Sequence, residues 1–484
     1  MRYMLLPVLR RITLFRTFVI LTITTTLFIV LSRCLHRQIL RPRKTFDFTV
    51  GITQSAITTP FVIDDESTQI VKAYETLLPV QAGSEAAWSV DSTLDLIFDP
   101  RSCDNQIGKE TSVNTDKGRS VVINNLTVVK DGIYWSEELE RLLPAGPSAE
   151  HIYNVSSRLQ FNSNFTVTHM KERVCSHWAS PENAQITMKD GSKWCARYKT
   201  PCFILGEVMA YYFSLLMCIN HIPPVIVTKP NPTTPQWGLE AVKEYLNNHY
   251  WIPSGLVTLT KWIPELHATY VPNIMKTGDR FLHVDNPMFS GLTQQQFLDL
   301  MEYSDATILD YLLAETDRVL YAARHNFTDY DDNNMEIHNM FADGNGNHWF
   351  LDNEMAFFWG QAIQHPKYAP LIEMLKSVCI FKRRTVVMVT KLYHHKNVPH
   401  LLWEIVNEHL GGLDLVWSSQ LPMTCRRYGK RYTIDWARTL TKRIGHVYTW
   451  ITRCSTVGYK SLLQEIHSNH VITHKMGVLI SDSN

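Results

Sequence analysis

Asp317, in DYLLAETDRV, and Asp352, in HWFLDNE, each close an apolar run. Carboxylates delivered at the ends of buried elements can do two kinds of chemistry: one can take a proton from a hydroxyl, the other can hold a divalent cation, which prefers oxygen ligands. Those are the two roles that phosphoryl transfer asks of a protein, because that reaction runs on positioning and charge neutralisation. Asn353 and Glu354 follow Asp352 directly and add oxygen donors. A single Asp after an apolar run usually caps or solvates a turn, so the weight rests on the two together.

The elements that must position them are readable from periodicity. Ile308, Leu309, Leu312 and Leu313 form one apolar stripe, which predicts a helix ending as Asp317-Arg318 begins. His348 to Leu351 reads as a short strand that delivers Asp352. Between these segments FTDYDDNNMEIHNMFADGNGN, residues 327–347, reads as an acidic, solvated loop without the full calcium-loop pattern. Upstream, AQITMKDGSKWCARYKT (184–200) predicts a β-hairpin about Asp190-Gly191. A helix follows from Gly206 to Asn220, then a strand at IPPVIV. Strand, strand, helix, strand is the order of a kinase amino-terminal lobe, where a basic strand residue reaches ATP phosphate and a helix acid pairs with it. Glu207 is the acid candidate; Arg197 and Lys199 are the basic ones, and residues two apart share a strand face. The plain alternative for each is a surface charge.

Further elements fill out two unequal parts. RSVVINNLTVVKDGIYWSEELERLLP predicts a strand and then a helix capped by Ser136, with Glu137 and Glu138 in its first turn. After NPTTPQWG come a helix to about Tyr250, the strand GLVTLTKWIP and the helix LTQQQFLDLMEYSDATILDYLLAE. YAPLIEMLKSVCIF and YTIDWARTLTKRIGHVYTWITRC predict a mainly helical carboxyl-terminal part.

The chain has 484 residues, 45% of them hydrophobic, enough for a large core. Its 47 basic residues are scattered among 46 acidic ones for a net charge of +1, which argues against nucleic acid as a partner. The charge-free run from Thr17 to Ser32 lies between basic flanks and reads as a short membrane anchor suited to the early secretory pathway and Golgi, with a cleaved signal peptide as the alternative. Flanking charge is balanced and leaves orientation open. Sequons at Asn125, Asn154, Asn164 and Asn326 choose the lumen for the bulk of the chain. Cys34 sits at the membrane edge; Cys103, Cys175, Cys195, Cys202, Cys218, Cys379, Cys425 and Cys454 offer no Cys-x-x-Cys zinc spacing and read as disulfide staples.

Several of these segments carry a resemblance. DGSKWCARYKT, GEVMAYYFSLLMCINHIPPV, GLVTLTKWIPELHATYVP, LDYLLAETDRV, HWFLDNE and LKSVCIFKRRT, spread from roughly Gly132 to Cys454, resemble the four-jointed family of Golgi secretory-pathway protein kinases, relatives of the Fam20 kinases, in family order and near-family spacing. The resemblance implies that Asp317 is the catalytic base, Asp352 the metal-binding Asp, Glu207 the helix acid at the nucleotide site, and Arg197, or Lys199 in its stead, the strand cation. It implies disulfides Cys175–Cys195 and Cys379–Cys454. It also exposes a departure: five residues past the catalytic Asp, where family members tend to carry a second metal-binding Asn, this chain has Ala322. Asn326 or an acidic residue of the following loop is the expected substitute, although Asn326 also begins a sequon and a glycan there would obstruct the cleft.

The expectation is therefore an α+β, two-lobed atypical protein-kinase-like fold with a mainly helical carboxyl-terminal lobe behind an amino-terminal transmembrane anchor. Its boundaries are a cytoplasmic tail 1–16, signal-anchor 17–32, luminal stem 33–115, amino-terminal lobe 116–265 and carboxyl-terminal lobe 266–484. The resemblance implies a single-pass type II protein of the Golgi membrane, also secreted if the anchor is cut, with room for an oligomer. It implies ATP with Mn²⁺ or Mg²⁺ as cofactors and extracellular cadherin-repeat proteins of Fat and Dachsous type as substrates, with effects on planar cell polarity and growth. The rival expectation is an inactive pseudokinase that binds cadherin ectodomains or another secretory kinase, supported by Ala322 and the lack of a G-x-G-x-x-G loop. A Golgi glycosyltransferase shares the topology and the acidic metal motifs, and UDP-sugar binding separates it from both.

Overall fold

In a computed structural model of the chain, residues 119–144, 146–162, 164–172, 175, 182–324, 335–358, 370–395, 397–410, 423–427 and 430–467 are described. The anchor run, the stem, Cys34, Cys103 and Asn326 lie outside them. Among the described residues no helix is long and apolar enough to cross a membrane.

The run predicted as one strand near 121–135 folds as a meander of β1 (Val121–Ile123), β2 (Leu126–Lys130) and β3 (Tyr134–Trp135). Asn124 and Asn125, with φ of 51° and 63°, make the turn between β1 and β2, a conformation that asparagine tolerates and that matches strand twist. Ser136 then caps a short helical turn, Glu137–Glu140, by accepting from the Leu139 amide at 3.0 Å. The meander is stitched to a distant segment, since the Trp135 amide donates to Phe381 O at 3.0 Å and the Phe381 amide to Ile133 O at 2.8 Å.

Helix α1 (Ala149–Asn162) leads into an antiparallel five-stranded sheet of β4 (Val167–Glu172), β5 (Asn183–Met188), β6 (Lys193–Tyr198), β7 (Val225–Thr228) and β8 (Val257–Lys261). Its order is β4-β5-β6-β8-β7, so β6 lies at the centre. The β5–β6 hairpin turns at Asp190-Gly191, where Gly191 has φ +80° and Asp190 Oδ1 accepts from the Ser192 amide. One face of the sheet buries Ile186, Trp194, Val257 and Leu259 with Trp237 and Trp251. Helix α2 (Pro201–Leu216), between β6 and β7, is buried nearly all round, as an apolar helix must be. It starts five residues before the predicted Gly206, because Thr200-Pro201 supplies an extended cap and a proline at the first helical position. Helix α3 (Glu240–Asn248) packs on β4.

Past β8 a three-stranded sheet has the order β11-β10-β9, from β9 (His267–Tyr270), β10 (Glu336–Ala342) and β11 (His348–Phe350). The part of the predicted 327–347 loop that is described is thus largely strand: β10 pairs with β9 and β11, both antiparallel, and these partners are non-local. Helices α4 (Gln294–Leu313), α5 (Val319–Arg324), α6 (Pro370–Lys376), α7 (Arg383–His395), α8 (Val398–His409) and α9 (Trp436–Thr456) make the rest mainly helical. Two predicted helices are shorter than expected: Val378, Cys379 and Phe381 leave α6 as extended backbone that bonds Leu282 and Ile133, and Lys430–Ile434 pairs as β13 with β12 (Met423–Arg427).

The structure pairs Cys175 with Cys195 and Cys379 with Cys454, at Cα separations of 5.7 and 5.3 Å. Cys202 and Cys218 are disulfide-bonded as well. The sequon residues Asn125, Asn154 and Asn164 are exposed.

Candidate active site

The centre of the site is built by β6, α2 and the segment after β11. Arg197 lies on β6 and is 8% exposed. Its guanidinium hydrogen-bonds Asp352 Oδ1 and reaches Glu354 Oε2 at 3.5 Å. Lys199 Nζ lies 3.8 Å from Glu354 and 3.2 Å from Glu182, so both basic candidates converge on Glu354. Glu207, on α2, is 1% exposed and accepts from Thr260 Oγ1 at 3.4 Å. Its carboxylate raises the Arg197 pKa through space, yet the direct ion pairs of Arg197 go to Asp352 and Glu354.

Gly206 lets α2 come this close. A Cβ there would lie 2.6 Å from the Glu354 carbonyl oxygen and 3.0 Å from that of Ala356, so the helix beside the acid candidate has no room for a side chain.

The electrostatics show more carboxylate than the local cations neutralise. Burial opposes the charge on Asp352, but Arg197 overcomes it and holds this carboxyl below its usual range. Burial, followed by the charge of Asp352, pushes Glu354 up to about 7. Burial likewise raises Glu207 against the pull of Arg197. The Oε2 atoms of Glu207 and Glu354 are buried and accept no hydrogen bond, an arrangement that suits an added cation. Among the described residues no group of three or more His, Cys, Asp and Glu is already arranged around one point as metal ligands. Asn353, expected as a further oxygen donor, is committed elsewhere: it is fully buried, its Oδ1 accepts from Arg318 and its Nδ2 donates to Phe350 O.

Asp317 stands apart from this cluster and is more open, its side chain 38% exposed. The loop that carries it is held from three directions. Glu315, fully buried, accepts the Thr316 and Asp317 amides on Oε1 at 2.8 Å each. His338 Nδ1 lies 2.8 Å from Asp317 O and 3.3 Å from Oδ2, and the hydrogen bond to Asp317 raises the imidazole pKa. Asn339 Nδ2 donates to Asp317 Oδ2 at 3.3 Å.

Arg318 ties the two halves together. It is fully buried, pairs with Asp310 of α4 at 2.6 Å, donates to Leu351 O at 3.3 Å and to Asn353 Oδ1, and lies 4.8 Å from the Phe350 ring centre. In the sequence Arg318 stands out only as the neighbour of Asp317; its signal is a charged pair directly after an apolar helix, with Asp310 embedded inside that helix. Glu315, His338 and Asn339 carried no signal of that kind.

A family model described as the four-jointed box protein middle domain matches residues 154–457, more than half of the chain. The chain belongs to the four-jointed box protein family. It is 28% identical over 286 residues to "Four-jointed box protein 1" of Xiphophorus maculatus, covering 58% of this chain and 64% of that one. It is 27% identical over 293 residues to the Homo sapiens protein of that name, covering 58% and 64%. To "Extracellular serine/threonine protein kinase four-jointed" of Drosophila melanogaster it is 23% identical over 313 residues, covering 54% and 52%. The chain thus spans less than two thirds of the length of these family members. Among solved structures, a Golgi casein kinase with Mn/ADP bound aligns with a TM-score of 0.40 at 11% identity over 83% of this chain and 94% of that one, and a hydra Fam20 with sugar at 0.40 and 13% over 64% and 90%.

Proposed function

We propose that the chain is a secretory-pathway protein kinase that transfers the γ-phosphoryl group of ATP to a Ser or Thr hydroxyl of a luminal or secreted protein. The observation that carries this reading is the division of labour in the site: a buried cluster of Arg197, Glu207, Asp352 and Glu354 with surplus carboxylate, and apart from it an open carboxylate on Asp317. Asp317 orients the acceptor hydroxyl and takes its proton as the oxygen forms the new bond to phosphorus and the bond to the ADP oxygen breaks. Arg197 and Lys199 bind the triphosphate, and Glu207 orients Arg197. Asp352, with Glu354 and an oxygen donor in the part of the chain that includes Asn326, would hold Mn²⁺ or Mg²⁺. When bound, the cation neutralises phosphate charge that the two basic side chains leave uncompensated.

Family membership supports a Golgi setting; the reading adds the 17–32 run as type II anchor, a lobe boundary near residue 265, and cadherin-repeat proteins as acceptors. The Arg197–Asp352 ion pair favours a second reading, a binding protein without transfer, because it occupies the very carboxylate that a cation needs.

Thermal unfolding tests the nucleotide half directly. The Mn²⁺–ATP complex at about 100 times its dissociation constant is expected to add about 2.7 kcal/mol of stability to the native protein, with no gain in Asp352→Ala. Stabilisation by UDP-sugars and none by ATP would move the assignment to a glycosyltransferase.

A further inference from the structure

Asn339 connects the two halves of the site, and the proposed function gives it no role. It lies on β10 with φ 57°, within the stretch where the β9–β10 register shifts. Left-handed backbone is uncommon for a residue other than glycine and persists where the surroundings over-determine it. The surroundings here are both functional segments. Asn339 Nδ2 donates to Asp317 Oδ2 at 3.3 Å, and Asn339 O accepts from the Leu351 amide at 2.9 Å, one residue before Asp352. Asp352 itself has φ 55°.

An amide carries a donor and an acceptor on one rigid group. The donor of Asn339 is used on Asp317, while among the described residues its Oδ1 accepts no hydrogen bond. Kinase sites use a side-chain amide near the catalytic Asp to hold a second cation, and position 322, on α5, carries Ala. Helix α5 packs against β10, and the Tyr321 ring lies 5.1 Å from that of His338, so the residues just before 322 and 339 are already in contact. We propose that Asn339 supplies the amide that position 322 lacks, its Nδ2 orienting the Asp317 carboxylate and its Oδ1 serving as an oxygen ligand for a second divalent cation. The inference rests on the kinase reading and extends it to a residue on a different element.

Two variants separate the two halves of this role. Asn339→Gly accepts the left-handed backbone and removes the amide, whereas Asn339→Asp keeps an oxygen ligand and sets a second carboxylate against Asp317. The measurements, on the full-length protein, are Mn²⁺ binding in the presence of a non-hydrolysable ATP analogue, read from the electron paramagnetic resonance of free Mn²⁺, and kcat for phosphate transfer. Asn339→Gly is expected to weaken Mn²⁺ binding about tenfold and to lower kcat by about tenfold or more. Asn339→Asp is expected to bind Mn²⁺ at least as well as the native protein and still transfer phosphate poorly.

Unchanged Mn²⁺ affinity in Asn339→Gly would overturn the inference. Asp352→Ala tells that failure from a failure of the site as a whole: loss of Mn²⁺ in Asp352→Ala but not in Asn339→Gly brings down Asn339 alone, and loss in neither brings down the metal site. If Asn339→Gly does not fold, Asn339→Asp decides, with retained Mn²⁺ and lost transfer in support, and retained transfer against.

Discussion

Asp317→Ala is expected to lower phosphate transfer by about 10²- to 10⁴-fold, the range set by a positioned general base, and to leave nucleotide affinity within about twofold. The two effects separate because the side chain lies outside the Arg197–Asp352–Glu354 cluster and is more than a third exposed. Its partners are Asn339 and His338, which orient it, and Glu315, which fixes its backbone. Removing it leaves Asp352 and Arg197 in place, so nucleotide should still bind. Asp352→Ala should differ in losing both transfer and metal-dependent nucleotide binding, and it leaves Arg197 without its closest partner. Steady-state kinetics with nucleotide titration on the two variants distinguishes these patterns, and full activity in Asp317→Ala would show that another group is the base.

The second large effect is structural. Arg318→Ala is expected to destabilise the protein by about 3–5 kcal/mol, the cost of breaking a buried ion pair by removing one member. What remains is the Asp310 carboxyl with no exposure to solvent, pushed by burial to about 6 even with Arg318 beside it. Its ordinary unfolded pKa is about 3.9, so without Arg318 the folded state binds a proton that the unfolded chain does not need in the range above that value. Stability of the variant should then fall as pH rises from about 5 to about 8. Adding Asp310→Asn to Arg318→Ala removes one of the two carboxyls that Arg318 compensates and should recover part of the loss and flatten that pH slope, the remainder coming from buried Glu315, whose carboxyl burial also pushes up. Chemical unfolding of the three proteins at both pH values measures this, and a loss under about 1 kcal/mol for Arg318→Ala would mean that the pair contributes no more than a surface ion pair does.

The parts of the site that were legible in the sequence are those fixed by strong periodicity. Asp317 follows a helix whose apolar residues recur at the helical period, Asp352 ends a short apolar strand, and Arg197 lies on a hairpin whose Asp-Gly turn sets its register. Glu207 was visible as an acid inside an otherwise apolar helix. What escaped was decided by partners far away in the chain. Asn339 falls in a polar stretch that reads as loop, and becomes strand only by pairing with β9, which lies before α4, and with β11. Asn353 looked like an oxygen donor, but its amide is spent on Arg318 and Phe350, contacts that need α4 and β11 side by side. The same holds for the residues after α6, where apolar character suited a helix equally well, and backbone bonds to Leu282 and Ile133 chose the extended form. The three-strand meander was legible only to a reader who gave Asn124-Asn125 the weight of an Asn-Gly turn.

The proposed activity is phosphate transfer to a secreted protein. The most direct test incubates the disulfide-intact protein with γ-labelled ATP, Mn²⁺ and a panel of cadherin-repeat domains, with Asp352→Ala run alongside. Label is expected on a cadherin Ser or Thr with the native protein and none with the variant; native protein that binds the cadherin domains and transfers no phosphate to them or to any other secreted acceptor would overturn the kinase reading.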